Sequence, residues 1–312
     1  MTAPPDTQAD LHWLLTSPSL LAPAALPPGV LDGDAAVGQD WWRQLSADLP
    51  AALASNHPFR LGRHAEALMR TAFERLPGHR LIASQLPVRD HGISLGEYDF
   101  LLAQAAGMPA LHIELAVKFY IALPVGERMV YVGPGLRDGL DLKLARLFDH
   151  QLKLSNSPAG RAALPVGLVV QPMSWLRGRM LYRDDLHPPW EGLAPDHLRG
   201  WWRCFGEAVP QTRADSRWRS LPKPHWLAAA QGGEHALPLA AWLDQAARHF
   251  AESNWPLMVA EYAPPEAGGQ ELARGMLLHA DWPDQAMLKT LMARIDALAL
   301  DRLAEPQTML GP

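Results

Sequence analysis

The run His112-Ile113-Glu114-Leu115-Ala116-Val117-Lys118-Phe119 sets a carboxylate, and an amine four residues later, into an otherwise apolar segment. Side chains alternate faces along an extended chain, so His112, Glu114, Ala116 and Lys118 share one face while Ile113, Leu115, Val117 and Phe119 share the other. In the preceding run, Leu95, Glu97, Asp99 and Leu101 fall on one face and Tyr98, Phe100 and Leu102 on the other. If the two runs pair as strands, Asp99 comes beside Glu114. Two carboxylates on adjacent strands suit a hard cation such as Mg²⁺, which takes one or two protein carboxylates plus waters and substrate phosphate. Such an ion can activate water and neutralise charge developing on a phosphodiester. A lysine nearby can orient the water or stabilise the transition state. The same three residues, Asp99, Glu114 and Lys118, also suit a structural ion pair on a half-exposed sheet face.

Those residues need elements to hold them. Leu61, Ala65, Leu68, Met69, Ala72 and Leu76 recur at helical spacing between Pro58 and Leu76, and Pro77-Gly78 stops the pattern. Three strand-like segments follow at 81–88, 93–102 and 110–123, separated by Asp90-His91-Gly92 and Gly107-Met108-Pro109. A tail strand at 129–132 leads to Gly133-Pro134-Gly135 and a helix expected over 136–154, with Leu140, Leu144, Leu147, Phe148 and Leu152 as its buried stripe. Residues 165–171 read as a buried strand. The order is helix, three strands, helix, strand. Beyond a Pro- and Trp-punctuated stretch at 175–190, the pattern predicts helices at 196–207, 239–253 and 284–304 and strands at 257–262 and 274–279. Residues 1–57 are read as a Pro-rich arm with a short helix near 11–15, residues 58–175 as the core, and 176–312 as an accessory α+β region.

The composition, 48% hydrophobic and 20% charged over 312 residues, is that of a globular chain with a sizeable core. No apolar stretch approaches the roughly 20 residues of a membrane-spanning helix, and the first residues lack the basic start and apolar run of a signal peptide, so a cytoplasmic protein is expected. A single cysteine, Cys204, excludes an internal disulfide and a multi-cysteine zinc site; among apolar and aromatic neighbours it reads as a buried, inert thiol. The net charge of −5 counts against a simple electrostatic nucleic-acid binder. A metal-dependent nuclease partly escapes that objection, because its site is itself acidic and the ion supplies the positive charge. The 12 tryptophans read mainly as core, with base stacking as the alternative use.

Taken together, the element order, the acid in the second strand and Glu114-x-x-x-Lys118 in the third resemble the PD-(D/E)XK, or restriction-endonuclease-like, nuclease superfamily over residues 58–172. A narrower resemblance covers most of the chain. The runs Leu61-Gly62-Arg63, Gly96-Glu97-Tyr98-Asp99-Phe100, Glu114-Leu115-Ala116-Val117-Lys118-Phe119-Tyr120, Gly133-Pro134, Asp141-Leu142-Lys143-Leu144 and His150-Gln151-Leu152 are similar to a bacterial family labelled "domain of unknown function 1853". The superfamily resemblance implies a mixed α/β fold with an αβββαβ core and a site holding Mg²⁺ or Mn²⁺ on Asp99 and Glu114. It further implies Glu66 on the first helix as a supporting acid, Gln151 on the second as a site-facing amide, and Lys118 as the residue that positions water. The superfamily lysine falls two residues after the second acid, where this chain has Ala116; Lys118 stands two residues further on the same face, about 6.6 Å along the strand. Lys143 is the alternative source of that amine. The glycine-rich turn at 133–135, with Arg137 behind it, reads either as a tight turn or as a phosphate-binding helix start. The expected activity is hydrolysis of DNA or RNA; the alternative is a non-catalytic nucleic-acid- or protein-binding module on the same fold.

Overall fold

The computed structural model describes residues 6–33, 38–45, 60–183, 190–230 and 233–304. Parts of the expected N-terminal arm and the start of the 58–76 helical pattern lie outside them. In chain order the elements are α1 (Thr7–Thr16), β1 (Leu31–Asp32), α2 (Gly38–Leu45), α3 (Leu61–Phe73), β2 (Arg80–Asp90), β3 (Ile93–Ala103), β4 (Ala110–Val125), β5 (Arg128–Val132), α4 (Leu140–Ala145) and α5 (Pro158–Ala163). They continue with β6 (Val170–Tyr182), β7 (Arg199–Cys204), β8 (Arg217–Leu221), β9 (Leu237–Pro238), α6 (Leu239–Glu252), β10 (Leu257–Tyr262), β11 (Glu271–Leu278) and α7 (Gln285–Ala304). The fold is mixed α/β, with a large mixed sheet and seven α-helices among the described residues. No helix among them is long and apolar enough to cross a membrane.

The sheet runs β2-β3-β4-β6-β7-β11-β10-β8-β9, with β1 on β6 and β5 on β4. β2, β3 and β4 form an antiparallel meander, whereas β4, β6, β7 and β11 are parallel neighbours. Parallel pairing needs a covered crossover on each connection, which is why the middle of the sheet is buried on both faces. One face carries Leu68, Met69 and Phe73 of α3, Leu11 and Leu14 of α1, and Leu291 and Ile295 of α7, packed against Phe100, Ile113, Trp175 and Trp202. On the other, α4 sets Leu140 and Leu144 against Ala116 and Leu176, and α6 sets Trp242 and Phe250 against Trp218 and Val259.

Several expectations need correction. The strand expected at 165–171 starts at Val170 and runs to Tyr182, across position 175 where the core was expected to end, and pairing continues into β7. Pro165 and Gly167, the latter at φ +76, turn the chain there instead, and Val166 and Val169 are exposed. The helix expected at 196–207 is strand β7. Its Trp202 and Trp201 pack into clusters on opposite sheet faces, a period of two that the apolar count disguised as helix. The helix expected over 136–154 is a short α4 followed by a π-helical turn, Arg146–Gln151. It cannot begin at Leu136, because that residue has φ +53 and closes the glycine turn by donating its N–H to the Gly133 carbonyl. The turn is satisfied within itself, Gly133 N–H donating to the Asp138 carbonyl, and Arg137 lies outside the helix it was expected to open.

Candidate active site

β3 and β4 pair only through Leu102↔Leu111, Leu101↔His112 and Phe100↔Ile113. One step beyond the last pair, Asp99 and Glu114 would face each other, and there the strands part: β3 stays with β2 and β4 goes on to β5. At this fork the Asp99 carboxylate replaces the missing backbone bond, its Oδ2 accepting from Leu115 N–H at 2.9 Å. The alternation expected along β3 also slips here. Tyr98 packs in the same cluster as Leu101, three residues away, and Phe100 in the opposite one. Opposite the slip, Gln85 of β2 adopts φ +52. Both irregularities surround the acid that the sequence singles out, which is where strained backbone commonly serves a site.

Glu114 is 1% exposed and Asp99 9%. Glu114 Oε1 lies 2.9 Å from His112 Nε2, and its Oε2 accepts from Gln151 Nε2 at 2.6 Å. Lys143 Nζ donates to Gln151 Oε1 at 3.0 Å, so the chain Lys143–Gln151–Glu114 runs from helix to strand. A regular α-helix would leave residues eight apart about 80° out of line; the wider π turn removes part of that rotation and turns Gln151 toward the sheet. Gly96 of β3, beside His150 of this turn, adopts φ +154, a backbone conformation that favours glycine.

Burial dominates the electrostatics. Desolvation, with the Glu114 charge added, pushes Asp99 up to about 8, although the Leu115 N–H and Lys143 oppose it. Burial also pushes Glu114 up to about 8 against the opposing charge of Lys143. Burial drives His112 down to about 4. Both shifts run toward the neutral form, so burial disfavours the charged forms of the two partners in the His112–Glu114 contact. Lys143 is lowered by burial, and Glu66 is raised by burial against the pull of Arg63.

The other expected residues separate. Glu66 on α3 accepts from Gln85 Nε2 at 2.5 Å and adds its charge to the field on Asp99 from the opposite side of the sheet. Lys118 turns away to Asp138 Oδ2 at 2.5 Å. Its partner in β6 is Gly178, where any Cβ would strike the Lys118 carbonyl. Ala116 lies under α4 in the apolar cluster with Leu140 and Leu144, so a lysine there would be buried. Lys143, on the helix that covers Ala116, brings an amine to the carboxylates from above. His112 was not singled out, although its two-residue spacing from Glu114 puts both on one strand face. Cys204 is buried as expected, its thiol within 3.5 Å of the Trp282 carbonyl and raised by burial.

Among the described residues, no three or more His, Cys, Asp or Glu side chains gather as metal ligands. A cation at the fork would therefore rest on Asp99, Glu114, waters and substrate oxygens, the pattern of Mg²⁺ rather than zinc. Two adjacent carboxylates raised by burial fit such an ion, because a cation relieves both the desolvation and the mutual repulsion. A family model described as "Domain of unknown function (DUF1853)" matches residues 9–278. No curated protein and no solved structure matches the chain.

Proposed function

Starting from a chain that belongs to the family described as domain of unknown function 1853, we propose a Mg²⁺- or Mn²⁺-dependent nuclease that hydrolyses phosphodiester bonds of DNA or RNA on a restriction-endonuclease-like core. The observation that carries this reading is the fork itself, where β3 leaves β4 one residue beyond Phe100↔Ile113 and two buried carboxylates, both raised to about 8, sit at the opening. The helix α3, the meander β2–β4, the helix α4 and the parallel strand β6 around it agree with that core.

Asp99 and Glu114 would hold the ion, which supplies Lewis-acid activation of water and of the phosphate. Hydrolysis forms a bond from water oxygen to phosphorus, breaks a phosphorus–oxygen ester bond and delivers a proton to the leaving oxygen. Gln151 fixes the Glu114 carboxylate through its amide N–H, and Lys143 fixes Gln151 through the amide oxygen. Lys143 is also the amine nearest in charge to both acids and is assigned the role first read onto Lys118. Glu66 and Gln85 brace the far side.

A second reading, a non-catalytic nucleic-acid- or protein-binding module, is favoured by one feature: both oxygens of Glu114 already have partners within the chain. Mn²⁺ titration separates the two. The nuclease reading expects stabilisation of roughly 2.7 kcal/mol at 100 times the dissociation constant. It also expects Mn²⁺-dependent cleavage of mixed single- and double-stranded substrates, with both effects lost in Asp99→Asn and Glu114→Gln. An unchanged melting temperature across the titration overturns it in favour of the binding module.

A further inference from the structure

The net charge of −5 conceals a concentrated positive region far from the fork. A cavity of 590 Å³ where β7 begins is lined by Arg179, Arg183, Arg199, Arg203 and Arg274, with Glu271 as the one carboxylate among its described lining residues. Arg274 forms its floor, held by Glu271 and by the carbonyls of Trp226 and Ala228. Arg183 pairs with Glu207 at 2.5 Å. Five guanidinium groups thus line one groove, Arg179 donating to the Arg199 carbonyl and Arg203 to the Trp202 carbonyl, and burial together with Arg274 lowers Arg179 to about 10. Like charges lining a partly dry groove focus their field outward.

A second cavity, of 610 Å³, shares Arg179 and Glu271 with the first and is lined by His12 and Trp13 of α1 and Trp42 of α2. Trp41, Trp175, Trp202, Trp218, Trp226 and Trp242, half of the twelve tryptophans, are buried in the core. Trp13 and Trp42 are only half-buried at this cavity, and His12 meets the Trp42 ring edge-on at 4.6 Å. Guanidinium forks suit phosphate oxygens, and aromatic faces accept unpaired bases. The register places Glu114 opposite Ser174 of β6, so Arg179 lies five residues, about 16 Å, along the strand from the fork.

We propose that the two joined cavities bind a single strand of nucleic acid, its phosphates on Arg179, Arg199 and Arg203 and a base against Trp13 or Trp42. The inference deepens the nuclease reading by naming where the substrate strand is held, but it uses none of the residues at the fork. Single-stranded form follows from the rings, which a base inside a duplex cannot reach.

The test is fluorescence anisotropy of a labelled oligonucleotide of about 15 residues, with the full chain in EDTA so that cleavage plays no part. Wild type should bind the single strand with an affinity that falls steeply with salt. The double variant Arg199→Gln/Arg203→Gln should bind about tenfold more weakly, with a shallower salt dependence and an unchanged melting temperature. Trp13→Leu should weaken binding severalfold and keep the wild-type salt slope. Equal affinity in wild type and the double variant overturns the proposal, as does equal binding of a duplex of the same length. Displacement of the strand by inorganic phosphate at constant ionic strength also overturns it, in favour of a small-anion site. Mn²⁺-dependent cleavage, measured on Asp99→Asn beside wild type, reads the fork alone, so the two ideas fail separately.

Discussion

Two glutamates, Glu114 on β4 and Glu261 on β10, are each 1% exposed on inner strands of the same sheet, yet their surroundings differ in kind. Glu261 accepts from Thr212 N–H, Thr212 Oγ1, Arg213 N–H and Ser216 Oγ. Four donors from one loop converge on this carboxylate, which tethers residues 212–216 to the sheet. Glu114 has His112, Gln151 and the Asp99 backbone N–H, with the Asp99 carboxylate as a second acid nearby. A buried carboxylate is thus no sign of function by itself; what marks the fork is a carboxylate whose donors do not compensate its burial.

The largest effect expected from this contrast is on stability. Glu261→Ala strands several buried donors and should cost about 3–5 kcal/mol in a urea melt, whereas Glu114→Gln should leave the metal-free protein as stable as wild type or more so. Equal losses in both variants would erase the distinction. Next in size is the lysine comparison. Lys143→Ala should lower cleavage about 100-fold while Lys118→Ala, which loses its bond to Asp138, stays within a few-fold; the reverse ranking would return the role to Lys118. Gln151→Ala frees one Glu114 oxygen from its orienting amide and should weaken Mn²⁺ binding about tenfold by calorimetry, with the fold intact.

The smallest effect is a slope with pH. Asp99 and Glu114 have folded values near 8 against ordinary values of 3.8 and 4.5, so the folded state holds protons that the unfolded chain releases. Their contribution to stability is present below about 4 and is lost as pH rises through about 8. The metal-free protein should therefore be about 1 kcal/mol or more less stable at pH 8 than at pH 5, and Glu114→Gln should flatten that difference. Saturating Mn²⁺ should flatten it too, because the bound carboxylates stay ionised.

How much of this was legible varies by element. The spans of β3, β4, β10 and α6 agree with their sequence patterns to within two residues, because each has a clear period and a turn at its ends. β8 is not legible in the sequence, and β7 reads as a helix because the adjacent Trp201 and Trp202 put large apolar side chains on opposite faces, which hides the alternation. At the fork, the residue types and their spacing pointed to Asp99 and Glu114 before any fold was known. The π turn that delivers Gln151, the turn of Lys118 toward Asp138 and the reach of Lys143 over Ala116 were not legible.

By itself, then, the sequence determined local periodicity, the polar face of β4 and the acids on it, since these depend on neighbours one to four residues apart. Only the tertiary structure decided which amine meets those acids, how far they are dehydrated, and that arginines from β6, β7 and β11 line one groove. Those outcomes depend on side chains distant in sequence competing for the same space, on α4 lying over β4 and on the order in which parallel strands assemble, and no local pattern encodes that competition.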